Sequence, residues 1–175
     1  MRIIGIDPGI ATTGYGVIDA PFLKLNNASS NPKTKKNVKS VRNFSCISYG
    51  LIKTESSSAT TERLKKINTE LNKLINIYHP EVLAVENVYF FKNLKTAIPV
   101  SQAKGVILLT AAKKRIPVFE FTPLQVKMTI TGYGRAEKRQ VQKMIKVLLR
   151  LKEVPTPDDA ADALGIAICC GLGIK

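Results

Sequence analysis

The chain has 175 residues, 45% of them hydrophobic, at a mean hydropathy of +0.02, as expected of one soluble domain with a real core. No apolar run approaches the roughly 18 residues of a membrane span. The N-terminus also lacks the basic region and long apolar core of a secretory signal. With 27 Lys plus Arg against 13 Asp plus Glu, a formal charge of +14 and a pI near 9.8, a polyanionic partner is expected, nucleic acid above all. A merely solvated basic surface is the plain alternative.

Arg2 to Asp7 is a short apolar run, Ile3, Ile4 and Ile6, that stops at a carboxylate. Pro8-Gly9 follows and cannot continue a central strand. The pattern predicts a buried strand delivering Asp7 to a turn, as a turn-former or as a site residue. Thr13 to Ile18 predicts a second strand returning beside it. Asn26 to Arg42 is polar and carries Lys33, Lys35, Lys36, Lys39 and Arg42. This basic insertion at about 26–42 reads as a long hairpin loop, either solvated or an arm against a phosphate backbone. Phe44 to Thr54 resumes alternation and predicts a third strand pairing with the second.

From Thr60 to Tyr78, Leu64, Ile67, Leu71, Leu74, Ile75 and Tyr78 recur at helical spacing, and Pro80 ends the helix. Val82 to Val85 is continuously apolar, as in a strand covered on both faces, and ends in Glu86. Lys95 to Arg115 predicts a helix, Pro117 to Phe121 a fifth strand. Thr122-Pro123 predicts a capped short helix. Gly132-Tyr133-Gly134 breaks the pattern before a helix from about Arg135. The last helix is predicted to start at Thr156-Pro157-Asp158-Asp159, with Thr156 as cap and Pro157 first inside, and to reach about Gly171. The order is that of an α/β mixed sheet with helices packed on it.

Cys46, Cys169 and Cys170 show no metal-ligand spacing and read as free thiols. His79 is the single histidine, so a Ser-His-Asp or Cys-His site is not expected.

The acids are more telling. Asp7 and Glu86 end apolar strands, while Asp159 and Asp162 lie three residues apart on one face of an Ala-rich helix. Asp158 and Asp159 suit a first helical turn through the dipole; Asp162 lies deeper, and no Arg nearby compensates it. A buried unpaired Asp costs several kcal/mol or is neutralised. Convergence of these acids on Mg²⁺, or on Mn²⁺ as a substitute, resolves the cost, since carboxylates are hard ligands. Two ions about 3.5–4 Å apart would clamp the attacking and leaving oxygens of a phosphodiester. On a +14 chain, the expected substrate is nucleic acid.

The stretches GIDPGIATTGYGVI, AVENVYFFKN, SQAKGV, TPLQVKMTITGYGRAEK and DDAADALGIAI resemble, in that order, the RuvC family of Holliday junction resolvases. The resemblance covers the chain apart from the polar insert. It implies a ribonuclease H-like fold, a five-stranded mixed sheet flanked by α-helices, as one domain over 1–175. Asp7, Glu86, Asp159 and Asp162 match the family's metal-binding acids, with Asp158 an adjacent rival to Asp159, where some relatives use histidine. The resemblance further implies a homodimer that nicks a four-way junction symmetrically, leaving 5′-phosphate and 3′-hydroxyl ends. The RuvA–RuvB complex is the implied partner, and the bacterial cytoplasm or an organelle of bacterial descent the implied location.

Lys127 and Lys138 match basic residues the family needs for cleavage and could offset transition-state charge. Tyr89 and Phe90, beside Phe91 and interleaved with Lys92 and Lys95, could stack on bases at the junction or pack in the core. Relatives usually carry Phe at Tyr89, Gln at Asn87 and often Arg at Lys104, a further DNA-contact candidate. Rival expectations are a general ribonuclease H or YqgF-type nuclease, an actin-like ATPase or sugar kinase, for which the length leaves no second domain, and a silent junction-binding module.

Overall fold

The computed structural model describes residues 1–21, 43–87 and 94–173, with the backbone alone at 94–96. The strands are β1 (Arg2–Asp7), β2 (Thr12–Asp19), β3 (Ser45–Lys53), β4 (Val82–Glu86) and β5 (Val118–Phe121). The helices are α1 (Thr60–Tyr78), α2 (Leu94–Lys113), α3 (Pro123–Thr131), α4 (Lys138–Leu148) and α5 (Asp158–Gly173). The sheet order is β3-β2-β1-β4-β5. β1, β2 and β3 pair antiparallel, whereas β4 is parallel to β1, and β5 to β4. The basic insertion at about 26–42 falls outside the described residues.

Alternation along the strands divides the core in two. Ile4, Ile6, Leu83 and Val85 pack with Ile67, Leu71 and Ile107 of α1 and α2. Ile3, Val82 and Ala84 point the other way, against Leu164 and Ile168 of α5 and Ile145 of α4. The same parity puts Asp7, four residues on from Ile3, and Glu86, two residues on from Ala84, on the α5 face. β1 and β4 are central and buried on both sides, which is why their sequences are continuously apolar.

Glycines let α5 sink into that face. A Cβ at Gly5 would overlap the Ala163 carbonyl, one at Gly14 the Asp159 carbonyl, and one at Gly16 the Leu164 backbone. The missing side chains bring the N-terminal half of α5 down onto β1 and β2. Among the described residues, no helix is long and apolar enough to cross a membrane.

Most local expectations hold. Thr122 caps α3, accepting from the Gln125 N–H at 3.1 Å while its own N–H donates to Gln125 Oε1 at 2.8 Å, a reciprocal box. Two helix starts differ. α4 begins at Lys138, not Arg135, because Gln140 reaches back to the Glu137 N–H at 2.8 Å and fixes the entry there. In α5, Pro157 precedes the helix instead of opening it. Its carbonyl accepts from the N–H groups of Ala160 and Ala161, both at 3.1 Å. Asp158 and Asp159 thus take the first helical positions, where the helix dipole favours them, and Thr156 is not the cap.

Candidate active site

The turn after β1 is fixed from both sides. The Thr13 hydroxyl donates to the Gly9 carbonyl at 2.6 Å, and the Thr54 N–H donates to the Ala11 carbonyl at 3.0 Å. This holds Thr12 at the start of β2, where its hydroxyl donates to Asp159 Oδ2 at 2.6 Å. The β2 partner of Asp7 is Gly14, the residue on which the Asp159 backbone rests. Asp7 and Asp159 are therefore neighbours by construction. One turn further along α5, Asp162 reaches the same place, and Glu86 arrives from β4.

The electrostatics record this crowding. Burial, then the Glu86, Asp162 and Asp159 carboxylates, push Asp7 up to about 8 against the pull of Lys138. Burial and Asp162 raise Glu86 above the ordinary carboxylate range, opposed by Lys138 and Lys104. Asp162 is raised as well, chiefly by burial, although its hydrogen bond to Lys138 opposes the shift. Like charges gathered out of water raise one another's proton affinity in this way. Such a set calls for positive charge.

Lys138 supplies part of it. Its ammonium lies 2.9 Å from Asp162 Oδ2 and 3.2 Å from Asp158 Oδ2. Burial opposes its charge, but Asp162 and Asp158 together hold it above its usual value. Asp162 is thus paired, by a lysine from another helix, and the sequence-based expectation of an uncompensated acid is corrected. The lysine lies 24 residues upstream and only α4–α5 packing brings it in. Asp158 is gripped a second time, by Gln142 Nε2 on its Oδ1 at 2.9 Å, and lies below the usual carboxylate range through Gln142 and Lys138.

A cleft of about 200 Å³ opens beside these groups, with Glu86, Asp162, Lys127 and Lys138 at its rim and Val126, Val141 and Ile145 beneath. Lys127 thus joins the site. Lys104 is spent differently: its ammonium donates to Glu120 Oε2 at 2.6 Å and Asn87 Oδ1 at 3.0 Å, and its side chain is 15% exposed. It braces the end of β4 behind Glu86. Tyr89, Phe90, Phe91 and Lys92 lie outside the described residues, and the side chain of Lys95 does too.

The donor set fits a hard divalent cation. Every candidate ligand is a carboxylate oxygen, and burial with mutual repulsion is the cost that such a cation relieves. Among the described residues, no three His, Cys, Asp or Glu side chains stand in an ion-holding arrangement. One oxygen each of Asp162 and Asp159 is engaged, by Lys138 and by Thr12, and Asp158 is held by Lys138 and Gln142. Thr12 and Gln142 escaped sequence reading. Gln142, a polar residue between Val141 and Ile145 on the apolar side of a helix, was the legible signal; Thr12 carried none.

A mixed sheet of this order, with acids at the ends of its two central strands and on the helix crossing them, defines a ribonuclease H-like nuclease. Solved structures agree. RuvC of Thermus thermophilus in complex with Holliday junction substrate superposes at a TM-score of 0.84 with 30% identity, over 98% of this chain and 93% of that one. The yeast mitochondrial Holliday junction resolvase Ydc2, at 14% identity, shares the fold at a TM-score of 0.63, over 97% and 78%. The family described as "Crossover junction endodeoxyribonuclease RuvC" matches residues 34–170. Relatives of that name are 48% identical in Caldicellulosiruptor saccharolyticus, over 97% of this chain and 91% of the relative, and 45% identical in Finegoldia magna, over 100% and 95%. The chain belongs to the RuvC family of crossover junction endodeoxyribonucleases.

Proposed function

We propose that this chain resolves four-way DNA junctions by hydrolysing phosphodiesters at the Asp7–Glu86–Asp159–Asp162 cluster, using Mg²⁺, two ions per site, with Mn²⁺ as a substitute. The carrying observation is the acid cluster itself: burial, then the carboxylates of β4 and α5, push Asp7 of β1 up to about 8 against the pull of Lys138, in a chain of this family. Divalent cations held there would supply Lewis-acid stabilisation of the phosphoryl and leaving oxygens. The four acids orient those cations, and burial among apolar walls strengthens each interaction by limiting water. Lys127 and Lys138 at the cleft rim place positive charge where the transition state gathers negative charge. The basic surface binds the phosphate backbone and positions the strand.

The reading includes a homodimer. On α2, Ile98, Gln102, Gly105 and Leu109 share one exposed side, with Ile98 65% and Leu109 53% exposed, and a Cβ at Gly105 would meet nothing. A second copy laid on this stripe would pair two sites about a two-fold axis, matching a two-fold substrate. Symmetric nicks with 5′-phosphate and 3′-hydroxyl ends are the expected product. By family resemblance the RuvA–RuvB complex would present the junction, in a single-domain enzyme acting in the bacterial cytoplasm.

The test is Asp7→Asn. Junction binding should persist, because Lys and Arg contacts to phosphates supply most of the affinity, while cutting falls by orders of magnitude. A variant that still cuts near the wild-type rate in Mg²⁺ would place the chemistry elsewhere.

A further inference from the structure

Two acids compete for one role at the start of α5, and their partners separate them. Among the described residues, Asp159 accepts from a neutral hydroxyl, that of Thr12, and its charge acts on Asp7. Asp158, next along the helix, has both oxygens engaged by one element. Oδ1 accepts from Gln142 Nε2 at 2.9 Å and Oδ2 from the Lys138 ammonium at 3.2 Å. Lys138 and Gln142 are four residues apart on α4, so they present side by side and hold one carboxylate between them. Gln142 is only 9% exposed, and its amide has been drawn into a largely apolar interface where a polar group needs a fixed partner.

Lys138 has a second acid, Asp162, at 2.9 Å. A cation held by Asp162 would compete with the ammonium for that carboxylate and repel it. Without another anchor, a long flexible lysine would swing into solvent at this moment. Asp158 remains, locked by Gln142.

We propose that Asp158 and Gln142 are positioning residues which keep the Lys138 ammonium beside the carboxylate cluster when Asp162 turns to a cation. The inference rests on the reading of Asp162 as a cation ligand and Lys138 as a cleavage residue. It assigns Asp158 a part in cleavage distinct from ion binding and removes it as a rival to Asp159.

The experiment uses the full chain and has two arms. The first measures Mn²⁺ binding without DNA by electron paramagnetic resonance. Asp158→Ala should stay within about threefold of wild type, whereas Asp159→Asn should weaken binding by about tenfold or more, as for loss of a ligand. The second measures single-turnover cutting of a synthetic four-way junction at saturating Mg²⁺. Asp158→Ala should cut about tenfold more slowly, the scale of one lost charge-assisted hydrogen bond, with junction affinity unchanged. Asp158→Asn, which keeps one of the two acceptor oxygens, should recover part of the rate, and Gln142→Leu should slow cutting in the same sense. In a Lys138→Ala background, Asp158→Ala should add nothing, since it acts through that lysine.

Mn²⁺ loss in Asp158→Ala equal to that in Asp159→Asn would make Asp158 a ligand and overturn the proposal. A full cutting rate in Asp158→Ala, or additive losses with Lys138→Ala, would overturn it too. If Gln142→Leu fails to fold, the exposed Asp158 position still decides. A wild-type protein that cuts no junction would overturn the proposed function instead, and the Mn²⁺ ranking alone would then decide for or against Asp158.

Discussion

Gly14 and Asp159 meet backbone to backbone: a methyl group at Gly14 would overlap the Asp159 carbonyl and crowd the Ala160 nitrogen. The acid cluster is therefore anchored by an absent side chain. β2 must carry Gly there for α5 to lie deep enough to set its acids beside Asp7. Gly14→Ala should cost about 3 kcal/mol through overpacking against backbone that cannot yield locally. Thermal melting should fall by roughly 6–12 °C for a chain of this size, and cutting should fall further than folding does.

The Thr12 hydroxyl on Asp159 Oδ2, at 2.6 Å, orients that carboxylate. Groups that orient ligands typically contribute ten- to a hundredfold in metal affinity or activity. Thr12→Val should raise the Mg²⁺ concentration for half-maximal cutting by about tenfold, and Thr12→Ser should restore it. Equal Mg²⁺ requirements in all three proteins would remove Thr12 from the site.

Asp7 ties stability to pH. Its carboxyl is raised by burial and neighbouring acids from 3.8 to about 8. Between these values the unfolded chain has released this proton and the folded chain keeps it, so stability without divalent cations falls as pH rises through that window. The penalty above pH 8 is on the order of a few kcal/mol. In EDTA at pH 8, Asp7→Asn should melt higher than wild type, by several degrees, and the two should converge near pH 4. Added Mg²⁺ should raise the wild-type melt at pH 8 more than at pH 5. A wild-type melt insensitive to pH in EDTA would contradict this account of Asp7.

Lys104 is expected to brace the fold and to contribute little to DNA binding. It joins Glu120 and Asn87 with 15% of its side chain exposed. Lys104→Ala should destabilise by about 1–2 kcal/mol, the cost of unpaired partners, and leave the salt dependence of junction binding unchanged. A salt slope lowered by about one phosphate contact would show instead that Lys104 reaches DNA.

Ile98 and Leu109 on the open side of α2 test the dimer. Both side chains are exposed, so Ile98→Lys with Leu109→Lys should leave the fold intact while shifting light scattering from dimer to monomer. Paired nicking should fall more than tenfold at nanomolar protein, because two sites no longer arrive together. A doubly substituted protein that remains dimeric would exclude this stripe as the interface.

The parts of this architecture written in short-range pattern were readable from sequence. β1 and β4 announce themselves as apolar runs ending in Asp7 and Glu86, and α1 as a 3.6-residue period from Thr60 to Tyr78. Family motifs did the rest for the fold and the acid set. What sequence could not carry is pairing across elements. The Lys138 grip on Asp162 and Asp158 depends on how α4 packs against α5, and the link from Thr12 to Asp159 joins residues 147 apart. The use of Lys104 against Glu120 likewise follows from α2 lying beside β5, which no local pattern encodes. Helix starts slipped for a related reason. Pro157 suits the first turn of a helix, yet its carbonyl accepts from Ala160 and Ala161 before the helix begins, placing Asp158 and Asp159 in the turn that holds the site.

The central claim is metal-dependent resolution of a four-way junction, and one assay tests it directly. A synthetic mobile junction, a linear duplex and an RNA–DNA hybrid are each incubated with the protein in Mg²⁺ and in EDTA. The account predicts paired, ligatable nicks in two strands of the junction alone, abolished by EDTA. Cutting of the duplex or hybrid at a comparable rate, or junction cutting that survives EDTA, would contradict it.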